Sequence, residues 1–127
     1  MTDDRYEAGM RVRREVLGDA HVDRATGAAD GAIDAAFQRW LTETAWGGPW
    51  DRAEQLDRRT RSCITVAVLT ALRAEGELAL HLRAARRNGV SPEELAEVIM
   101  HTAVYAGVPA ANSAMAVVKQ VLAEPTG

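Results

Sequence analysis

The stretch NGVSPEELAEVIMHTAVYAGVP, Asn88 to Pro109, decides the fold class. Gly89 stands where a helix that ends in a left-handed residue places its glycine. Ser91, Pro92 and Glu94 then form a capping box with proline at the first helical position, so a helix must start there. Leu95, Val98, Ile99 and Thr102 fall on one face of it, and Gly107 with Pro109 breaks the chain and restarts it into a last helix ending near Leu122.

Outward from this stretch the pattern stays helical. Glu75 to Asn88 is the helix that Gly89 stops, and Asp57 is a plausible N-cap for the one before it. That helix carries Arg58, Arg59 and Arg61 early and is nearly continuously apolar from Ile64 to Leu72. Ile33, Phe37, Trp40 and Leu41 recur at helical spacing after Asp30 and Gly31, predicting a helix that ends near Ala45. Tyr6 to Leu17, with Met10, Val12 and Leu17 as apolar members and Gly18 as its stop, predicts a short charged helix, more a docking arm than a core element. Gly18 to Asp23 reads as a turn, Glu124 to Gly127 as a fraying end, and Trp46 to Trp50 as a loop displaying two large aromatic side chains.

The β-branched residues lie within helical rather than alternating patterns. The fold class is therefore all-α, with about six helices. At 127 residues one domain is expected over 1–127, with 1–20 a peripheral N-terminal arm. The apolar faces of the Ile64–Leu72 helix and of the last helix need more cover than so small a chain supplies, which predicts a homo-oligomer.

Apolar residues make up 47% of the chain and charged residues 26%, enough for a core and for solubility. The net charge of −3, with acids and bases interspersed, provides no basic face for nucleic acid or anionic lipid. The single cysteine, Cys63, excludes an internal disulfide, and no cluster has zinc or CxxC spacing, so no metal is expected. The acidic start, MTDDRYEAGM, does not resemble a signal peptide, and no apolar run is long enough for a membrane span. A cytoplasmic protein is the expectation.

Few residues could carry chemistry. Glu77 and His81 stand four apart, so their side chains share a helix face and can form an acid/base pair; spacing alone favours a solvated surface pair instead. His101 and Tyr105 form a second such pair, equally readable as a histidine at the core edge bonded to a phenol. His21 reads as structural. Among Arg58, Arg59 and Arg61, a guanidinium suits a carboxylate ligand, although such clusters are usually solvated. Cys63 reads as a small core residue.

Three segments carry a family resemblance: VLGDAHVD at Val16 to Asp23, TETAW at Thr42 to Trp46, and ARRNGVSPEELAEVIMHTAVYAGVPAANSAM at Ala85 to Met115. In this order, and with YAGVPAAN at Tyr105 to Asn112 as the strongest marker, the chain resembles the carboxymuconolactone decarboxylase and AhpD-like group. The resemblance implies an AhpD-like all-α subunit assembled into trimers or hexamers. Many redox members of that group carry a CxxC motif before a histidine. Placing His81 on that histidine puts Ala74 and Glu77 at the cysteine positions and Ser62 where a relay glutamate stands, so paired-thiol chemistry has no residues here.

The resemblance therefore points to the decarboxylase branch: loss of CO2 from a small anionic lactone, 4-carboxymuconolactone, to give 3-oxoadipate enol-lactone in protocatechuate breakdown, without a cofactor. It implies His81 as the proton donor oriented by Glu77, with His101 in reserve. Arg61, or one of its neighbours, would hold a substrate carboxylate, Trp46 would help exclude water, and His101 and Tyr105 are further substrate contacts. A relative acting on another lactone or keto acid, and a non-catalytic helical oligomer, stay open.

Overall fold

A computed structural model describes residues 2–28 and 31–125 of the chain. It contains seven α-helices among the described residues and no strand: α1 (Thr2–Leu17), α2 (Asp19–Gly27), α3 (Gly31–Leu41), α4 (Arg58–Leu72), α5 (Glu75–Arg87), α6 (Pro92–Ala106) and α7 (Val108–Leu122). A π-helical turn, Thr42–Trp46, continues α3, and a 3-10 turn, Pro49–Asp51, follows. The all-α class is as the sequence predicts. The chain divides into two compact units, one ending at Asp57 and the other beginning at Arg58.

In the N-terminal unit the helix missing from the sequence reading is α2. Gly18, at φ 89°, ends α1, and its carbonyl at once accepts from Val22 N (3.2 Å), so the supposed turn is a change of direction with a new helix behind it. Arg14 holds the corner by ion pairs to Asp19 (3.1 Å) and Asp23 (2.9 Å). The segment expected as an arm is packed within its unit: α1 buries Val12, Val16 and Leu17 and lies against the π turn. Gly9 permits that approach, because a Cβ there would collide with the Thr42 carbonyl oxygen and lie 2.8 Å from Gly47 N.

The tryptophans at Trp46 and Trp50 are not displayed as expected. Both are buried, their rings stacked with centroids 5.2 Å apart. Trp46 closes the π turn and Trp50 sits in the 3-10 turn behind it, and both turns pack on α1. Conversely, Ile33, Phe37 and Trp40, whose spacing predicted α3, are exposed, Ile33 at 89%, and α3 buries no residue among those described.

In the C-terminal unit α4 packs on α5, α6 and α7 around Val66, Leu78, Leu82, Leu95, Ile99, Ala114 and Val118. The capping box is formed as predicted, Glu94 N donating to Ser91 Oγ (3.1 Å) and Ser91 N to Glu94 Oε1 (3.0 Å). Gly89 and Gly107 take φ values of 91° and 102°. Two expectations change. The face of α7 is buried in its own unit's core through Ala110, Ala114, Val117, Val118 and Val121, whereas the uncovered apolar stripes lie on α4 (Ile64, Val68, Leu72) and α6 (Met100, Val104). The fraying expected over Glu124 to Gly127 does not hold at Glu124, which accepts from Arg83 Nε (2.8 Å) and Nη2 (2.7 Å); Thr126 and Gly127 lie outside the described residues. No helix among the described residues is long and apolar enough to cross a membrane.

Candidate active site

His81 is the one buried imidazole among the described residues. It sits mid-way along α5 between Leu78, Leu82 and Ala85, and only 8% of it is exposed. Glu77, one turn earlier, is exposed. Helical spacing puts the two residues on neighbouring positions, but the first turn of α5 holds Glu77 at the solvent edge while the next carries His81 inward.

Helix α4 supplies the arginines. Arg59 is exposed and its guanidinium is ion-paired with Glu94 at the start of α6, which leaves it a structural role. Arg58 and Arg61 are half-buried and make further interactions. Asn88 Nδ2 donates to Ser62 Oγ (3.0 Å), tying the end of α5 to the start of α4. Since α4 and α5 are joined by only two residues, they run antiparallel. Stepping back along both helices from that bond puts His81 about level with Leu69, and Arg61 roughly 12 Å away along the helix axes at ~1.5 Å per residue.

His101 and Tyr105 are brought together on α6, with ring centroids 5.3 Å apart and planes tilted by 44°. Both are exposed, Tyr105 by 80%. His101 lines an open cavity of about 550 Å³ with Ala67 of α4 and Glu97, Val98, Met100, Thr102 and Val104 of α6. His81 is not among its lining residues, so the two histidines of this unit face different surroundings. Glu97 escaped the sequence reading although it stands four residues before His101, the same signal that drew attention to Glu77. Trp46 belongs to the N-terminal unit, stacked on Trp50. No three His, Cys, Asp or Glu side chains among the described residues converge to hold a metal ion. Cys63 is a free, half-buried thiol packed against the core.

The all-α architecture agrees with the family comparison, in which residues 35–120 match the model of the carboxymuconolactone decarboxylase family. The chain belongs to that family. It is 46% identical over 117 residues to the 4-carboxymuconolactone decarboxylase of Acinetobacter baylyi, covering 92% of this chain and 86% of the relative. It is 38% identical, again over 92% of its length and 80% of the relative's, to a nitrosuccinic acid decarboxylase of Metarhizium robertsii. A 4-carboxymuconolactone decarboxylase of Pseudomonas putida is 51% identical over 43 residues, which make up 34% of this chain and 88% of the relative.

Proposed function

We propose that the chain decarboxylates 4-carboxymuconolactone to 3-oxoadipate enol-lactone and CO2 without a cofactor. The observation that carries this is the 46% identity over 92% of the chain to the 4-carboxymuconolactone decarboxylase of Acinetobacter baylyi. The substrate's own structure supplies the electron sink. As the bond from the γ-carbon to its carboxylate breaks, the electron pair moves through the ring double bond into the lactone carbonyl, giving a dienolate. Protonation at the α-carbon then leaves the double bond in its new place. The protein's part is to hold the dianion, shield it from water and deliver one proton.

His81 is the proposed proton donor, because a nearly buried imidazole can hold a proton close to a desolvated dienolate. Glu77 is assigned to orienting it once substrate is bound, when catalytic hydrogen bonds commonly tighten. Arg61 is assigned to the carboxylate at the far end of the substrate, in keeping with its distance along α4. His101 and Tyr105 are reserve contacts on α6, and Trp46 keeps its assignment as an apolar contact on the strength of the family resemblance.

Nitrosuccinic acid, which names a second relative, is likewise a dicarboxylate with a strong electron acceptor, its nitro group, beside a carboxylate. That favours one alternative above others: the same electron-sink chemistry on another small diacid, lactone or keto acid. The uncovered apolar stripes of α4 and α6 support assembly into a homo-oligomer, a trimer or hexamer, and the chain's weak, mixed charge supports a cytoplasmic enzyme with no nucleic acid or membrane partner.

The test supplies freshly generated 4-carboxymuconolactone to purified protein and follows CO2, with nitrosuccinate in parallel. Release from the lactone well above the spontaneous rate is expected. Release from nitrosuccinate alone would move the assignment to the alternative, and release from neither would overturn the proposal. In folded His81→Ala the rate should fall by about 10²- to 10⁴-fold.

A further inference from the structure

Arg13, on α1, is 4% exposed, and its hydrogen bonds among the described residues go to no carboxylate. Its Nη1 donates to Thr42 Oγ1 (3.0 Å) and its Nη2 to Gln38 Oε1 (2.9 Å), both uncharged acceptors, while Nε is buried with no hydrogen bond. A guanidinium does not lose its proton in a protein, so a full positive charge is enclosed here without compensation, an arrangement that is costly unless an anion completes it. Burial pushes the Arg13 pKa down from its ordinary value, an effect that Tyr6 opposes and Arg14 adds to.

Both acceptors of Arg13 are also walls of a cavity of about 300 Å³, lined by Tyr6, Thr26, Ala35, Gln38, Arg39 and Thr42. The bond to Arg13 fixes which way the Gln38 amide points: only its oxygen can accept from a guanidinium, so its NH2 group keeps its donors for another partner. Thr42 Oγ1 donates to the Gln38 carbonyl (2.7 Å), which aligns the hydroxyl with the same charge. Arg39 lies over the Tyr6 ring, 4.5 Å from its centroid, with its own charge offset by Glu43 at 3.5 Å. The unmatched charge at this cavity is therefore that of Arg13, a single positive charge presented through donors.

We propose that this cavity, backed by Arg13 and Gln38, binds one carboxylate group of a small organic acid. The Gln38 amide and the Tyr6 hydroxyl donate to it, and the enclosed guanidinium behind Gln38 supplies the attraction. One carboxylate balances one guanidinium, whereas a phosphate dianion would leave excess negative charge in the same enclosure. Occupancy would also brace the π turn, since Gln38 and Thr42 lie at the point where α3 gives way to it.

The test is thermal unfolding of the full chain with sodium succinate, sodium phosphate or sodium chloride at matched ionic strength. The comparison is Gln38→Glu, which places a carboxylate of the protein's own against Arg13. Nonspecific stabilisation by these salts acts on both proteins alike, so the difference between them reads the site. Gln38→Glu is expected to melt higher than the unsubstituted chain without succinate. Saturating succinate is expected to raise the midpoint of the unsubstituted chain by roughly 3 °C more than that of Gln38→Glu. Equal succinate increments in the two proteins would overturn the site, and a phosphate increment as selective as that of succinate would overturn the carboxylate assignment. Should Gln38→Glu not fold, Tyr6→Phe serves in its place: a several-fold weaker succinate response supports the site and an unchanged one overturns it. No turnover is measured, so the outcome does not depend on which reaction the chain catalyses.

Discussion

At the scale of single residues, two i, i+4 pairs with similar spacing have different fates. Glu77 and His81 are separated by the edge of the core, whereas His101 and Tyr105 stay together on an exposed surface. Spacing reports which face of a helix a residue occupies, not how deep that face lies, so both pairs were legible and their burial was not. The enclosed Arg13 was illegible for a related reason: Thr42 is 29 positions away in the sequence and Gln38 25 away, and nothing local signals either bond. Glu77→Gln should lower the decarboxylation rate less than His81→Ala does, by about tenfold or less, because a group that only orients another contributes less than the proton donor. Steady-state kinetics of the two variants would check the order, and equal losses would place Glu77 in direct contact with the substrate.

At the scale of elements, the strongest local signals gave the most faithful boundaries. Ser91, Pro92 and Glu94 fixed the start of α6, and Ser91→Ala should cost about 1 kcal/mol by removing an acceptor for the Glu94 N–H. Urea denaturation would measure it. Helix α2 and the π turn were missed because both depend on packing: α2 offers a single fully buried valine, and the π turn is held by its contact with α1. Gly9→Ala should therefore be disproportionately harmful, costing about 1–3 kcal/mol or more because the obstacle to the new methyl is backbone. A change no larger than ordinary helix propensity allows would count against that close approach. The tail has a pH signature of its own. Hydrogen bonds from Arg83, and then its charge, hold the Glu124 carboxyl below the usual carboxylate range. Its folded value thus lies below its unfolded one, so the pair stabilises above the ordinary glutamate pKa of about 4.3, and that contribution is lost as the pH falls through the depressed value. Glu124→Gln should melt slightly below the unsubstituted chain at neutral pH, and the difference should vanish once the pH has fallen below the depressed value.

For the whole molecule, the family and the all-α class were legible because motif order and helical periodicity are properties of the sequence itself. The division at Asp57 and Arg58 was not, since it depends on which contacts form. Nor could periodicity tell a face turned to the core from one left uncovered. The stripes on α3, α4 and α6 read in sequence like any core-facing helix, yet Ile33, Phe37, Val68 and Val104 are open to solvent within the chain. Replacing Val104 by glutamate should shift the proposed oligomer towards smaller species without unfolding the subunit, as light scattering and circular dichroism would show together. Unchanged assembly would mean that α6 is not part of the interface.

The connections of the C-terminal unit carry a consequence for how the chain acquires its structure. Two residues join α4 to α5, four join α5 to α6, and Gly107 alone joins α6 to α7. Helix α5 therefore meets α4, and α7 meets α6, after closing a very short loop, and little chain entropy is lost before these first contacts form. A unit with so many local contacts belongs to the class of helical domains that fold in microseconds to milliseconds. The interior position of His81 would then be settled early, by the collapse of α5 onto α4.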